Sequence, residues 1–275
     1  MPPAFDERSA KKASRTHQRT HQRTHQLQAD EEPRASGQAK RASVARTAAL
    51  ARRSGVSRFL FENGLTVVMF ALFLLSFAGQ VITGRATHND EQRLHGQPAA
   101  SVGEYLTSGA FVEATAENWE SEFLQMGLFV LLTVFLHQRG SSESKRIEEP
   151  EEVDEDPREA RDDPDAPWPV RRGRLTLALY EHSLSIVLLT LFALSFVAHA
   201  AGGAHEYNDQ QATHGGRVVS TLGYMATSRF WFESFQNWQS EFFSIGLLVM
   251  FSIWLRERGS PQSKPVAAPH RDTGE

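Results

Sequence analysis

Residues 64–82, GLTVVMFALFLLSFAGQVI, run for nineteen positions without a charge. As a helix they reach roughly 28 Å at 1.5 Å per residue, close to the ~30 Å hydrocarbon core of a bilayer. Residues 183–201, SLSIVLLTLFALSFVAHAA, have the same length and again no Asp, Glu, Lys or Arg. Two further apolar runs, 123–136 and 242–255, hold fourteen residues each. Runs that short also suit buried helices of a soluble fold. Their flanks point to the membrane. Trp119 and Trp238 stand just outside one end, and Arg139, Arg256 and Arg258 outside the other. Trp belongs at an interface because its ring is apolar while its N–H needs a wet partner. Counted from 119 to 138, the second helix has twenty residues, with Glu120 and Glu122 at headgroup depth, where a carboxylate is cheaper to place than at midplane. The expectation is an all-α membrane protein with four transmembrane helices.

The basic residues give the orientation. Thirteen Lys and Arg precede the first run, eight lie between the second and third, and four follow the fourth. Only Arg85, Arg93, Arg217 and Arg229 fall in the other two loops. The excess of positive charge on the cytoplasmic side places both termini and the 137–182 loop in the cytoplasm. The first run starts too far from Met1, and is too long, for a cleaved signal peptide. The chain has no cysteine, so disulfides, thiolate metal sites and a cysteine nucleophile are excluded.

Shifted by 119 residues, the chain matches itself. Residues 57–145 agree with 176–264 at 32 of 89 positions without a gap. ENWESEFLQMG at 117–127 answers to QNWQSEFFSIG at 236–246, and RGSSESK at 139–145 to RGSPQSK at 258–264. The pattern is an internal repeat of two helices per unit. Two spans is an even number, so both units enter the membrane in the same orientation, unlike inverted repeats. Two parallel-repeat helical hairpins then pack as a four-helix bundle. Ala71, Ser76, Ala78, Gly79, Gly127 and Gly246 are the expected points of close approach.

The phrases ENG and EHS before the long apolar runs, NWxSEF, RGSxxSK and the linker DEDPREARDDPDAPWPVRRG resemble a family of small bacterial integral membrane proteins of unknown function. The resemblance covers about residues 57–268 and implies no activity. The long N-terminal tail departs from it, and misassignment of the translation start accounts for such a tail.

The expected organisation is a disordered basic tail over 1–55, a first membrane repeat over 56–145, an acidic Pro-rich cytoplasmic linker over 146–174, a second repeat over 175–264 and a disordered tail over 265–275. The tail repeats RTHQ three times, with His17, His21 and His25 at helical spacing. It is too polar to bury a core and reads as a slipped tandem repeat rather than a metal site. A stretch at 42–54, with Arg46, Arg52 and Arg53, suits the surface of anionic lipid. The linker, with Asp162, Asp163 and Asp165, reads as a solvated acidic connection rather than a cation site.

The candidate polar rim site comprises Asn118, Trp119 and Glu122 with Asn237, Trp238 and Glu241. The two tryptophans anchor the outer leaflet, the asparagines cross-link the units, and the paired carboxylates face each other about one turn below. Weaker candidates in the outer loops are Asp90 and His95 with Asp209 and His214. Glu91 pairs with His95 at i, i+4, but Gln210 replaces it in the second copy. His followed by Gly reads more simply as a helix end, with Gly96 and Gly215 at positive φ and the imidazole at the negative end of the dipole. SVGE at 101–104 is a capping box, and Ser108 and Ser228 are expected N-caps.

No phosphate loop, nucleophile elbow or HExxH is present, so no catalytic residue, cofactor or metal is expected. The functional expectation is a non-enzymatic structural or interaction protein. Its partners are the lipid bilayer and a membrane protein or a second copy, with no nucleic acid. The alternative is a small transporter or cation/proton conduit using Glu122 and Glu241. The runs lack an ionisable residue at midplane, where a conduit needs one; His199 lies only near the outer end of the third.

Overall fold

The computed structural model describes residues 55–274, and among them the chain forms nine α-helices and two 3-10 turns, with no strand. The helices are α1 (Val56–Glu62), α2 (Gly64–Leu94), α3 (Val102–Leu106), α4 (Gly109–Phe135), α5 (Trp168–Arg172), α6 (Arg174–Glu181), α7 (Ser183–Thr213), α8 (Thr221–Met225) and α9 (Ser228–Phe251). The basic tail, with His17, His21, His25 and the 42–54 stretch, lies outside the described residues. The chain divides into two compact units, Met1–Ala78 and Gly79–Glu275. In the first, α1 and the start of α2 leave large apolar side chains exposed, among them Leu65, Phe70 and Leu75.

The all-helical expectation holds, but the number of spans does not reach four. Among the described residues, α2 and α7 alone are long and apolar enough to cross a membrane. The reason lies in the charges that α4 and α9 carry, Glu113, Glu117, Glu120 and Glu122 and then Arg229, Glu233 and Glu241.

Local bonding explains where the helices begin and end. Ser101 and Glu104 close the capping box of α3. Ser108 caps α4, accepting from the Phe111 N–H at 3.2 Å. The cap of α9 is Thr227, which accepts from Phe230 at 3.3 Å, and not Ser228. Thr227 stands 119 residues after Ser108, and either hydroxyl serves at that place. Gly96 and Gly215 follow the ends of α2 and α7 with φ of 70° and 68°. There His95 and His214 place Nδ1 against the carbonyls of Glu91 and Gln210, as a helix-end histidine should.

Other bonds recur at the same offset. Asn89 accepts from the Ala100 N–H at 2.7 Å and donates to its carbonyl at 3.3 Å. Asn208 makes the same pair of bonds with Val219, both at 2.8 Å. These clamps fix the loops after α2 and α7. Gln138 N–H to Ser144 Oγ and Glu257 N–H to Ser263 Oγ are likewise the same bond, 2.9 Å in each RGSxxSK phrase.

The helices α4 and α7 pack through glycine. A Cβ on Gly109 would sit 2.5 Å from the backbone nitrogen of Glu206 and 2.8 Å from the Gly202 carbonyl. One on Gly202 would sit 2.7 Å from the Glu113 nitrogen. Gly127 meets Leu188 and Leu189 of α7, as expected of a close-approach point. Gly79 and Gly246 have nothing within 4 Å of a Cβ, so they do not mark helix contacts within their unit, and Ala71, Ser76 and Ala78 are not packed against other helices within theirs. Around the α7 contact lies a small core of Ala200, Ala204, Tyr224 and Phe230.

The acidic linker carries the two 3-10 turns, an ion pair between Lys145 and Asp154, and Arg172 stacked 5.1 Å over the Trp168 ring. Residues 265–274 turn back on Lys264, whose buried ammonium donates to the carbonyls of Gly140, His270 and Asp272.

Candidate functional site

The polar residues of the second compact unit converge where the first half of α4 meets the last half of α7 and the first half of α9. His199 of α7 is fully buried. Its Nδ1 lies 2.8 Å from Glu120 Oε2 of α4, and its Nε2 3.4 Å from Glu233 Oε2 of α9. The Phe230 ring stacks on the imidazole at 4.8 Å. Glu120 is fully buried too, and its second oxygen accepts the Trp238 indole N–H at 2.9 Å. Both Glu120 oxygens are therefore occupied as acceptors, which suits an ionised carboxylate.

Glu233 accepts two further bonds. Arg229, one turn earlier, donates to Oε1 at 2.8 Å, and the Tyr224 hydroxyl donates to Oε2 at 2.5 Å. Arg229 also reaches Gln210 at 2.8 Å and, at 3.5 Å, Glu113. Burial works against the Glu233 charge, but the bonds from His199, Tyr224 and Arg229 prevail and hold its carboxyl down at about 2.

Tyr224 also lies 3.0 Å from Glu113 Oε1. A phenol has one proton, so it cannot donate to both carboxylates at once. Its bond to Glu233 is the shorter, so the Glu113 contact is satisfied when Glu113 itself carries a proton and donates to the phenol oxygen. Burial, and then the neighbouring Glu233 charge, push the Glu113 carboxyl up to about 7, in keeping with that arrangement. Burial likewise raises the Tyr224 phenol, which stays protonated.

Glu117, half-buried one turn after Glu113, completes the set. Its carboxylate, the His199 ring and the Glu233 carboxylate place one ligating atom each within 4.8 Å of one another. Asn237 of α9, whose amide donates to the Glu233 carbonyl at 3.2 Å, stands near Glu117 and favours its charge against the burial that raises its carboxyl. With Glu113 protonated, three carboxylates still share one guanidinium and one imidazole, a setting that favours a cation. Ser234 is 1% exposed and its hydroxyl lacks a hydrogen-bond partner.

The expected rim residues are placed differently from one another. Trp238 joins the network through Glu120, whereas Trp119 is exposed. Asn118 and Asn237 each donate to a carbonyl of their own helix, Ala114 at 2.7 Å and Glu233 at 3.2 Å, and Asn237 also stands near Glu117. Glu122 is exposed and Glu241 half-buried, near enough to interact electrostatically. In the loops, His95 and His214 meet with ring centroids 5.7 Å apart. Asp90 pairs with Arg93 and Asp209 with His205, so the aspartates do not join the histidines.

Sequence reasoning passed over Glu113, Glu117, Tyr224, Arg229 and Glu233, set Glu120 among the headgroups and noted His199 only in passing. A signal was present in the departures from the repeat. At the 119-residue offset, His199 answers to Gln80, Glu233 to Ala114 and Arg229 to Ala110. Glu113, Glu117 and Glu120 answer to Phe232, Gln236 and Gln239. The ionisable set therefore exists once, and Gln80 in the place of His199 makes a neutral bond to Thr115 at 3.0 Å.

No curated protein and no solved structure matches the chain. A family model described as "Domain of unknown function (DUF6766)" matches residues 56–275. The chain belongs to that family.

Proposed function

We propose that the chain is a multi-pass inner-membrane protein that works by binding rather than catalysis, with the buried carboxylate–histidine–arginine network as its working site. In this reading two like-oriented hairpins, copied from one ancestor, sit in the bilayer with α2 and α7 as the full-length spans. The shorter apolar ends of α4 and α9, from Trp119 and Trp238 on, return the chain, and both termini stay cytoplasmic. The network then lies at the outer membrane face, where water and ions reach the half-buried Glu117.

The single observation that carries the proposal is the one-sidedness of the network. A bond needed only to hold hairpins together would serve in both halves, as the Asn89 and Asn208 clamps do. Replacing a buried ion network by neutral residues of similar volume is often neutral or stabilising, so architecture alone is a weak reason to keep four carboxylates. The test is the thermal unfolding midpoint of the detergent-purified protein against a panel of monovalent, divalent and organic cations. A ligand of the folded state raises the midpoint with its concentration. The proposal expects one cation class to do so in the wild type and not in His199→Gln. A flat response to every cation contradicts it.

A second reading, a cation or proton conduit through Glu122 and Glu241, draws support from the electrostatic interaction of these two residues. A flux assay in liposomes with Glu122→Gln/Glu241→Gln separates it: a conduit loses flux in the double variant, and a binding protein shows none to lose.

A further inference from the structure

We infer that Glu117, His199 and Glu233 form a binding site for one divalent transition-metal ion of the zinc type, with Glu120 fixing the imidazole in its ligating form. The inference rests on the reading above and deepens it, naming the class of ion that the same network takes.

Geometry comes first. One ligating atom from each of the three residues lies within 4.8 Å of the other two. The His199 Nε2 to Glu233 Oε2 separation of 3.4 Å is long for a hydrogen bond. It matches the edge of a tetrahedron around zinc, which is roughly 3.4 Å for bonds of about 2.1 Å.

The surroundings prepare the His199 and Glu233 ligands. Glu120 is fully buried and takes the Trp238 N–H on one oxygen, so its other oxygen accepts from His199 Nδ1 at 2.8 Å. A metal ion would take the place of the Nε2 proton, and so of the bond to Glu233, while Nδ1 keeps its proton on Glu120. A carboxylate behind a ligating histidine is the usual way in which metal sites fix the ring and raise its basicity. Arg229 on Oε1 and Tyr224 on Oε2 orient Glu233, and Oε2 keeps a second lone pair for the metal.

Charge and chemistry name the ion. Two carboxylates balance a divalent cation, and the ion offsets part of the network's excess negative charge. An imidazole nitrogen favours zinc and the late transition metals over magnesium or manganese, and affinity should run Zn²⁺ above Co²⁺ above Mn²⁺. Three protein ligands leave a position for water. The stoichiometry is one per chain, because Gln80, Gln236 and Ala114 stand at the corresponding places of the other half.

The test titrates Zn²⁺ into the full-length protein in mild detergent, with His17, His21 and His25 replaced by Gln to remove the tail as a binding site. The expected result is one site per chain, weakened at least tenfold by Glu117→Gln and ten- to a hundredfold by Glu120→Gln. Glu122→Gln leaves it unchanged. Co²⁺ in place of zinc should give the visible absorption of a low-coordinate site, absent in Glu117→Gln and restored in part by Glu117→Asp. Elution as a single species shows that each variant is folded. Absence of a site, loss of it with the tail histidines, or indifference to Glu117→Gln overturns the inference. If another cation raises the unfolding midpoint through His199 while Zn²⁺ does not, the metal assignment falls and the binding reading stands.

Discussion

Trp238 donates its indole N–H to Glu120 at 2.9 Å, joining the second Asn-Trp phrase of the sequence to the first across 118 residues. The bond gives this tryptophan a task beyond marking an interface. Trp238→Phe keeps most of the ring and leaves a buried carboxylate oxygen without its donor, at a cost of about 1–3 kcal/mol. The exposed Trp119 should tolerate the same change with a smaller loss. Thermal unfolding in detergent compares the two, and equal losses would count against the structural role given to Trp238.

Glycine sets the distance between α4 and α7. Gly109→Ala and Gly202→Ala each drive a methyl group into backbone of the facing helix, with approaches of 2.5 and 2.7 Å. Backbone cannot swing aside as a side chain does, so each change should cost at least about 1–3 kcal/mol. Gly246→Ala, with nothing within 4 Å, serves as the control and should be neutral or slightly stabilising. The readout is the unfolding midpoint of the three variants.

The network should make stability depend on pH through Glu113. Its carboxyl is raised from 4.5 to about 7 in the folded chain. The folded state then binds more protons than the unfolded one between these values. Stability therefore falls as pH rises through that window and levels off above it. Glu233, lowered from 4.5 to about 2, acts in the opposite sense and at lower pH. Glu113→Gln should flatten the slope of the midpoint between pH 4.5 and 7. A slope the same in wild type and variant would contradict the protonated Glu113.

The asparagine clamps hold two loops by paired bonds to a single residue each. Asn208→Ala removes both bonds to Val219, and Asn89→Ala both bonds to Ala100. Each loss should amount to about 1–3 kcal/mol. Hydrogen exchange of the Val219 and Ala100 amides should speed up in the matching variant and stay slow in the other.

What the sequence revealed and what it hid divide along physical lines. Helix ends were legible because capping is local: the Ser101–Glu104 box and the His-Gly ends need only neighbours in sequence. The long apolar stretches of α2 and α7 were legible for the same reason. The network was not, since its members come from three helices and each is unremarkable alone. Glu120 looked like a headgroup-depth carboxylate until α7 brought a histidine to it. Lys264, read from sequence as the last residue of the second repeat, has its ammonium held by the Gly140 carbonyl 124 residues away and by the nearby His270 and Asp272 carbonyls. The 119-residue comparison held the missing clue in the positions where the two halves disagree.

The central claim is a chain that crosses the bilayer with both loop ends, and the network beside them, on the outer side. Because the chain has no cysteine, single cysteines can be placed at will. Gln97→Cys and Val218→Cys test the loops after α2 and α7, and Glu155→Cys and Gln262→Cys the linker and the C-terminal segment. In intact spheroplasts, a membrane-impermeant maleimide should label the first two at once and the last two only after lysis. Labelling of all four before lysis, or the reverse order, would contradict the account.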